Sequence, residues 1–96
     1  MTYLHDIAPD RQAALNSVLK ATPGADTNTG KHRLLTAIQT LGHVTTFEAS
    51  RLLDIYDPRA RKMSLVKDGH PIITSWRHVL TEAGVKHRVG VYSLAR

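Results

Sequence analysis

The residues of this 96-residue chain best equipped for chemistry are its cations. Residues 31–96 hold eleven Lys and Arg against five acidic residues, a net +6, whereas residues 1–30 carry −1. The candidates fall in clusters: Lys31 and Arg33; Arg59, Arg61, Lys62 and Lys67, with Ser64 among them; Arg77; and Lys86, His87 and Arg88. A surface so charged attracts polyanions by releasing their condensed counterions. Arginine adds a planar fork that chelates phosphate or the edge of guanine. The plainer alternative is a solvated basic surface kept for solubility. Segregation of the excess into one part of the chain favours the polyanion.

Other chemistries find little support. Of the six histidines, His70, His78 and His87 fall on or beside the expected C-terminal hairpin, but no pair has the i, i+4 spacing of a helical metal site and no Asp or Glu flanks them closely. Cysteine is absent, so no disulfide or thiolate metal site can form. Ser64, Ser75 and Ser93 lack a nucleophile-elbow context, the glycines form no phosphate loop, and the eight acidic residues are spread out. No enzyme, metal or cofactor is expected. No apolar run approaches the roughly 18 residues of a membrane span. Met1–Asp6 lacks the basic and apolar regions of a secretory signal, so a cytoplasmic protein is the default expectation.

The elements that must position the cations can be placed from local signals. Residues 9–20 can form a short helix with Ala14, Leu15, Val18 and Leu19 on one face; it packs on the remainder, mediates a homodimer, or frays. Residues 21–28 have linker composition, so the chain divides into an N-terminal extension, 1–28, and a domain, 29–96. A helix over 31–41 presents Leu34, Leu35, Ile38 and Leu41 and stops at Gly42. Lys31, His32 and Arg33 then fall in its first turn, where they oppose the helix dipole unless an anion sits nearby. Thr45-Thr46-Phe47-Glu48 is a capping box, starting a helix that runs to about Leu53. Asp54-Ile55-Tyr56 makes a turn with Ile55 as its buried plug. Asp57-Pro58 opens a third helix, ending near Asp68-Gly69.

Two rotations of that third helix are open. One buries Ala60, Met63 and Val66; the other buries Leu65, Val66 and the stem of Lys62. Residues 72–76 and 88–94 read as the strands of a hairpin turning at Thr81–Gly84, and Val44 can add a short third strand. Trp76 and Tyr92 are expected to fill the space between hairpin and helices, with stacking on nucleobases as the alternative. The aliphatic core is expected from Leu34, Leu35, Ile38, Leu41, Leu52, Leu53, Ile72, Val89, Val91 and Leu94.

This order of elements is the α+β layout of a winged helix-turn-helix: three helices and a C-terminal hairpin wing, here with an added N-terminal helix. Particular residues carry the same likeness. Arg33-Leu34-Leu35, Thr45-Thr46-Phe47-Glu48-Ala49, Ala60-Arg61, Leu65 through Ile72, and Arg88 through Leu94 resemble the small winged helix-turn-helix proteins often encoded by phages, prophages and mobile elements. Arg61, Leu65, Gly69, Ile72, Val89, Tyr92 and Leu94 match that pattern; Lys62 departs from it, where an aliphatic residue is expected. The match at Leu65 favours its facing inward. The resemblance spans about two-thirds of the chain and implies binding of double-stranded DNA, in a regulatory role. The third helix would enter the major groove with Arg59, Arg61, Lys62, Ser64 and Lys67 at bases or nearby phosphates. Lys31 and Arg33, with Arg77, Lys86, His87 and Arg88 on the wing, would hold the backbone. The rival function is a protein-docking module, such as a recombination accessory or an inhibitor of a host enzyme, and RNA is a third polyanion partner.

Overall fold

A computed structural model describes residues 7–95; Met1–Asp6, on which the secretory-signal expectation rests, lies outside them, as does Arg96. The chain runs α1 (Pro9–Ala21), α2 (Thr27–Leu41), β1 (His43–Thr45), α3 (Thr46–Arg51), α4 (Pro58–Lys67), β2 (Ile72–Leu80) and β3 (Lys86–Leu94). The strands form one antiparallel sheet in the order β1-β3-β2.

Local signals explain most boundaries. In α1, Pro9 takes the first turn, where a missing N–H costs nothing. The helix breaks at Thr22-Pro23-Gly24. Its Leu15 and Val18 join the main core, each burial stabilising by roughly 1.5–3 kcal/mol. The face considered for self-association is therefore used within the chain. The expected start of the next helix at Lys31 is corrected to Thr27. Asp26 caps it, its carboxylate accepting from Thr29 N–H at 2.7 Å, and that bond holds the Asp26 pKa below its ordinary value. Lys31, His32 and Arg33 consequently sit beyond the first turn, and the supposed clash with the helix dipole does not arise. At the other end Gly42, at φ 87°, closes the helix by donating to Ile38 C=O at 2.8 Å.

The capping box forms as read: Thr45 Oγ1 accepts from Glu48 N–H at 3.0 Å, and Glu48 Oε1 accepts from Thr45 N–H at 2.9 Å. Ile55 plugs the turn between α3 and α4. Asp57 accepts from Ala60 N–H at 3.3 Å to start α4. The helix ends in a Schellman motif, with His70 N–H donating to Leu65 C=O and Gly69 N–H to Val66 C=O, both at 3.0 Å.

The core is one cluster. Leu34, Ala37 and Ile38 of α2 meet Leu15 and Val18, Val44 of β1, Ala49 and Leu53, Ile55, Leu65 of α4, and Ile72 and Tyr92 of the hairpin. Leu35, Leu41, Leu52 and Leu94 are only partly buried at its margin. Buried within α2, Gly30 packs against α4; a Cβ there would lie 3.4 Å from Cδ of Arg61, a flexible neighbour. Gly30→Ala is expected to raise the unfolding free energy by about 0.5–1 kcal/mol, because glycine costs that much in a helix interior. A chemical-denaturation midpoint below wild type would show that the Arg61 stem cannot yield.

Candidate nucleic-acid interface

The rotation of α4 decides which cations can act together, and it matches neither expected alternative in full. Leu65 is the one buried residue of the helix, whereas Met63 is 55% and Val66 44% exposed. Burial of Met63 or Val66 is thus corrected. With a single inward anchor and both ends pinned by caps, the helix is held more by its termini than by an apolar stripe. Arg59, Lys62, Met63 and Val66 fall at i, i+3, i+4 and i+7, the spacing of one helical face. Met63 and Val66 are exposed on that face.

Across from this face stands the hairpin, longer than expected at nine residues per strand. Strand alternation puts Thr74, Trp76 and His78 on the same sheet face as Lys86, Arg88, Gly90 and Tyr92. Near the helices that face is sealed by buried Ile72 and Tyr92; further out it overhangs. Trp76, expected in the core, is instead 59% exposed, facing the open space between the hairpin and α4. The Arg88 guanidinium lies 4.5 Å from the Trp76 ring centroid, a cation–π contact.

Between helix and hairpin lies an open groove of about 540 Å³, lined by Arg59, Lys62 and Met63 on one side and Thr74, Trp76, Arg88 and Tyr92 on the other, with Thr46 and Gly90. Gly90 contributes bare backbone to its lining. A Cβ there would stand 3.1 Å from Thr46 Cγ2 and 3.7 Å from Trp76 Cζ3. Burial pushes the Tyr92 phenol above its ordinary pKa, an effect partly offset by the Arg59 charge, so it stays a neutral wall. Among the described residues, no carboxylate forms an ion pair with Arg59, Lys62 or Arg88.

The remaining candidates are dispersed. Lys86 shares the groove-side sheet face, near the hairpin tip, while alternation puts Arg77 and His87 on the opposite face. Lys67 is exposed and Ser64 half-buried, neither of them lining the groove. Arg61 lies on the flank of α4 that meets α2, its stem against Gly30, beside Asp26, Thr27, Tyr56 and Asp57. Lys31 pairs with Asp68 at the end of α4.

Arg33 requires a correction. It is 4% exposed and cannot present its charge to a ligand. Its Nε donates to Thr22 C=O at 2.8 Å, Nη1 to Leu53 C=O at 3.1 Å and Nη2 to Gly24 C=O at 2.8 Å. These carbonyls lie just past the C-terminal ends of α1 and α3, where the helix dipoles favour a cation. A clustered Lys-His-Arg string looks exposed in sequence, and nothing local reveals three distant carbonyls converging on its last member.

Sequence reasoning missed Thr46, Met63, Thr74 and Gly90 as groove residues, and reached Trp76 and Tyr92 only through the alternative of stacking on nucleobases. One signal was present: glycine within a strand often marks a close approach by another group. The groove thus combines cations suited to phosphate, apolar groups suited to thymine methyls, and one exposed aromatic face. Among the described residues, no group of three His, Cys, Asp or Glu could hold a metal ion, and no helix is long and apolar enough to cross a membrane. Neither the curated proteins nor the solved structures give a significant match to the chain. A family model described as a winged helix-turn-helix domain, a DNA-binding fold, matches residues 29–96. With four helices, a three-stranded sheet and a hairpin facing α4 among the described residues, the chain belongs to the winged helix-turn-helix family.

Proposed function

We propose that the protein binds double-stranded DNA with sequence preference, α4 entering the major groove and the hairpin lying on the flanking backbone. One observation carries this most directly: Arg59 and Lys62 line the α4 side of the groove and Arg88 the hairpin side, with Lys86 on the same sheet face. On α4, Arg59 and Lys62 would reach guanine edges or phosphates, and Met63 and Val66 thymine methyls. Arg61, Ser64 and Lys67 flank that face, and Lys86 and Arg88 would hold phosphates. A regulatory or mobile-element setting is supported by the resemblance of the Leu65–Ile72 and Arg88–Leu94 segments to such proteins.

Fluorescence anisotropy on a random duplex of about 20 base pairs, at low and near-physiological salt, tests this directly. Binding is expected to fall steeply with salt. Once a preferred site has been selected, Arg59→Ala should weaken it about tenfold, with a much smaller effect on random duplex. Lys86→Ala should weaken all duplexes alike and reduce the salt slope by about one. Equal losses on preferred and random DNA for both variants would remove α4 from base recognition. The docking function draws on the exposure of Trp76 and Met63, and it expects only feeble DNA binding even at low salt.

A further inference from the structure

We infer that the groove between α4 and the hairpin receives an unpaired nucleobase stacked on Trp76, so that the protein prefers DNA containing a locally unpaired base over fully paired duplex. This rests on the DNA-binding function proposed above and specifies the form of DNA.

One indole is left largely in water beside a well-sealed core. Trp76 is held in place while remaining exposed. Arg88 lies 4.5 Å from its ring centroid, and the benzo edge of the indole borders the bare backbone of Gly90. A guanidinium stacked on an aromatic ring keeps its in-plane N–H groups free to donate, so Arg88 can fix the indole and still hold a phosphate. Met63 stands on the opposing side of the groove, and its thioether is well suited to contact with an aromatic ring.

Space and charge agree with the same occupant. About 540 Å³ lies open between the walls, ample for a base and its sugar. A side chain at position 90 would intrude on this space, since its Cβ would stand 3.1 Å from Thr46 Cγ2 and 3.7 Å from Trp76 Cζ3. Arg59 and Lys62 stand on the α4 side and Arg88 on the hairpin side, so phosphates on either side of the base could each find a cation. Paired DNA cannot use the indole in this way. Its bases are stacked on one another and offer only edges in the grooves, whereas an unpaired base can turn a π-face toward an aromatic ring.

Trp76 is the only tryptophan in the chain, so fluorescence excited selectively at the indole reports on the groove. The full chain would be titrated with a blunt duplex and with the same duplex carrying an oligothymidine overhang, following both labelled-DNA anisotropy and Trp76 emission. The overhang is expected to tighten binding about tenfold, the scale of one base–aromatic stack, and to quench Trp76. Trp76→Ala should reduce the affinity ratio between the two DNAs to about one, and Trp76→Phe should retain most of it. Unchanged melting temperatures would show that both variants are folded. Equal wild-type affinities with unaltered emission, or a preference that survives in Trp76→Ala, would overturn the inference while leaving duplex binding intact. Quenching by an acidic aromatic peptide but not by the overhang would overturn it too and give the groove to a protein partner. If neither DNA binds at low salt, the proposed function fails as well.

Discussion

Arg33→Ala is expected to lower the unfolding free energy by about 3–4 kcal/mol, and the melting temperature by roughly 15 °C. The substitution removes three charge-assisted hydrogen bonds at once, to Thr22, Gly24 and Leu53. Each bond to a charged group contributes about 1.5–3 kcal/mol, but Thr22 and Gly24 lie where water can partly replace the guanidinium. The full sum is therefore an overestimate. The remainder is still a large share of the roughly 5–15 kcal/mol by which small domains are stable. Arg33→Lys should recover little, because one ammonium on a flexible stem cannot reproduce a planar fork aimed at three carbonyls. Arg33 ties the segment after α1 to α2 and to the end of α3, so proteolysis within residues 22–26 should also accelerate in the variant. Thermal melts and the salt slope of DNA binding separate this role from phosphate contact. A near-wild-type melting temperature with a flatter salt slope would mean that Arg33 reaches DNA and that its burial is not the state that matters.

The elements whose signals are local were legible in the sequence. The Thr45–Glu48 capping box, the Gly42 stop, the Asp57-Pro58 start and the Ile55 plug each depend on residues within a few positions of one another. The start of α2 was obscured because Pro23, Gly24 and Asp26 read together as a linker, although Asp26 is also a strong helix cap. Non-local features could not be read. With only Leu65 buried, periodicity carried too little information to orient α4. Trp76 was assigned by size to the core, but exposure depends on how far the hairpin outruns the helices, a property of the whole packing. The same holds for the site. The basic character of residues 31–96 pointed to a polyanion, while the gathering of Arg59, Lys62 and Arg88 around one groove, the diversion of Arg33 and Lys31 to intramolecular partners, and the placement of the Arg61 stem against Gly30 arise from tertiary structure.

Glu48→Gln is expected to cost about 2–3 kcal/mol near neutral pH and to flatten the acid limb of stability. Glu48 is 4% exposed and accepts from both Nε and Nη2 of Arg11, the latter at 3.0 Å, as well as from Thr45 N–H. Arg11 Nη2 also donates to His43 C=O at 2.6 Å, so one guanidinium locks α1 onto the capping box and onto β1. Breaking a buried pair costs about 3–5 kcal/mol, reduced here because the Arg11 side chain retains 20% exposure to water. Burial alone would raise the Glu48 pKa; the Arg11 hydrogen bond, the Thr45 N–H and the Arg11 charge together bring it below the ordinary value of 4.5. Its contribution is therefore present above about 4.5 and lost as pH falls through the lower folded-state value. His43 acts in the same direction at higher pH. Burial first, then the charges of Arg11 and Arg77, hold its pKa below 6.5 against the opposing pull of Glu48, so the unfolded chain takes up that proton first. Stability should thus decline in two stages on acidification, beginning below about 6.5 and again below about 4.5. His43→Gln should remove the first stage, and Glu48→Gln should flatten the second, leaving the loss that Asp26 contributes below about 3.8. Because Arg11 and Glu48 act as a unit, Arg11→Ala combined with Glu48→Gln should cost far less than the two separate losses added together. Melts across this pH range check both statements. An acid limb in Glu48→Gln as steep as in wild type, or full additivity in the double variant, would show that the Arg11–Glu48 pair does not hold α1.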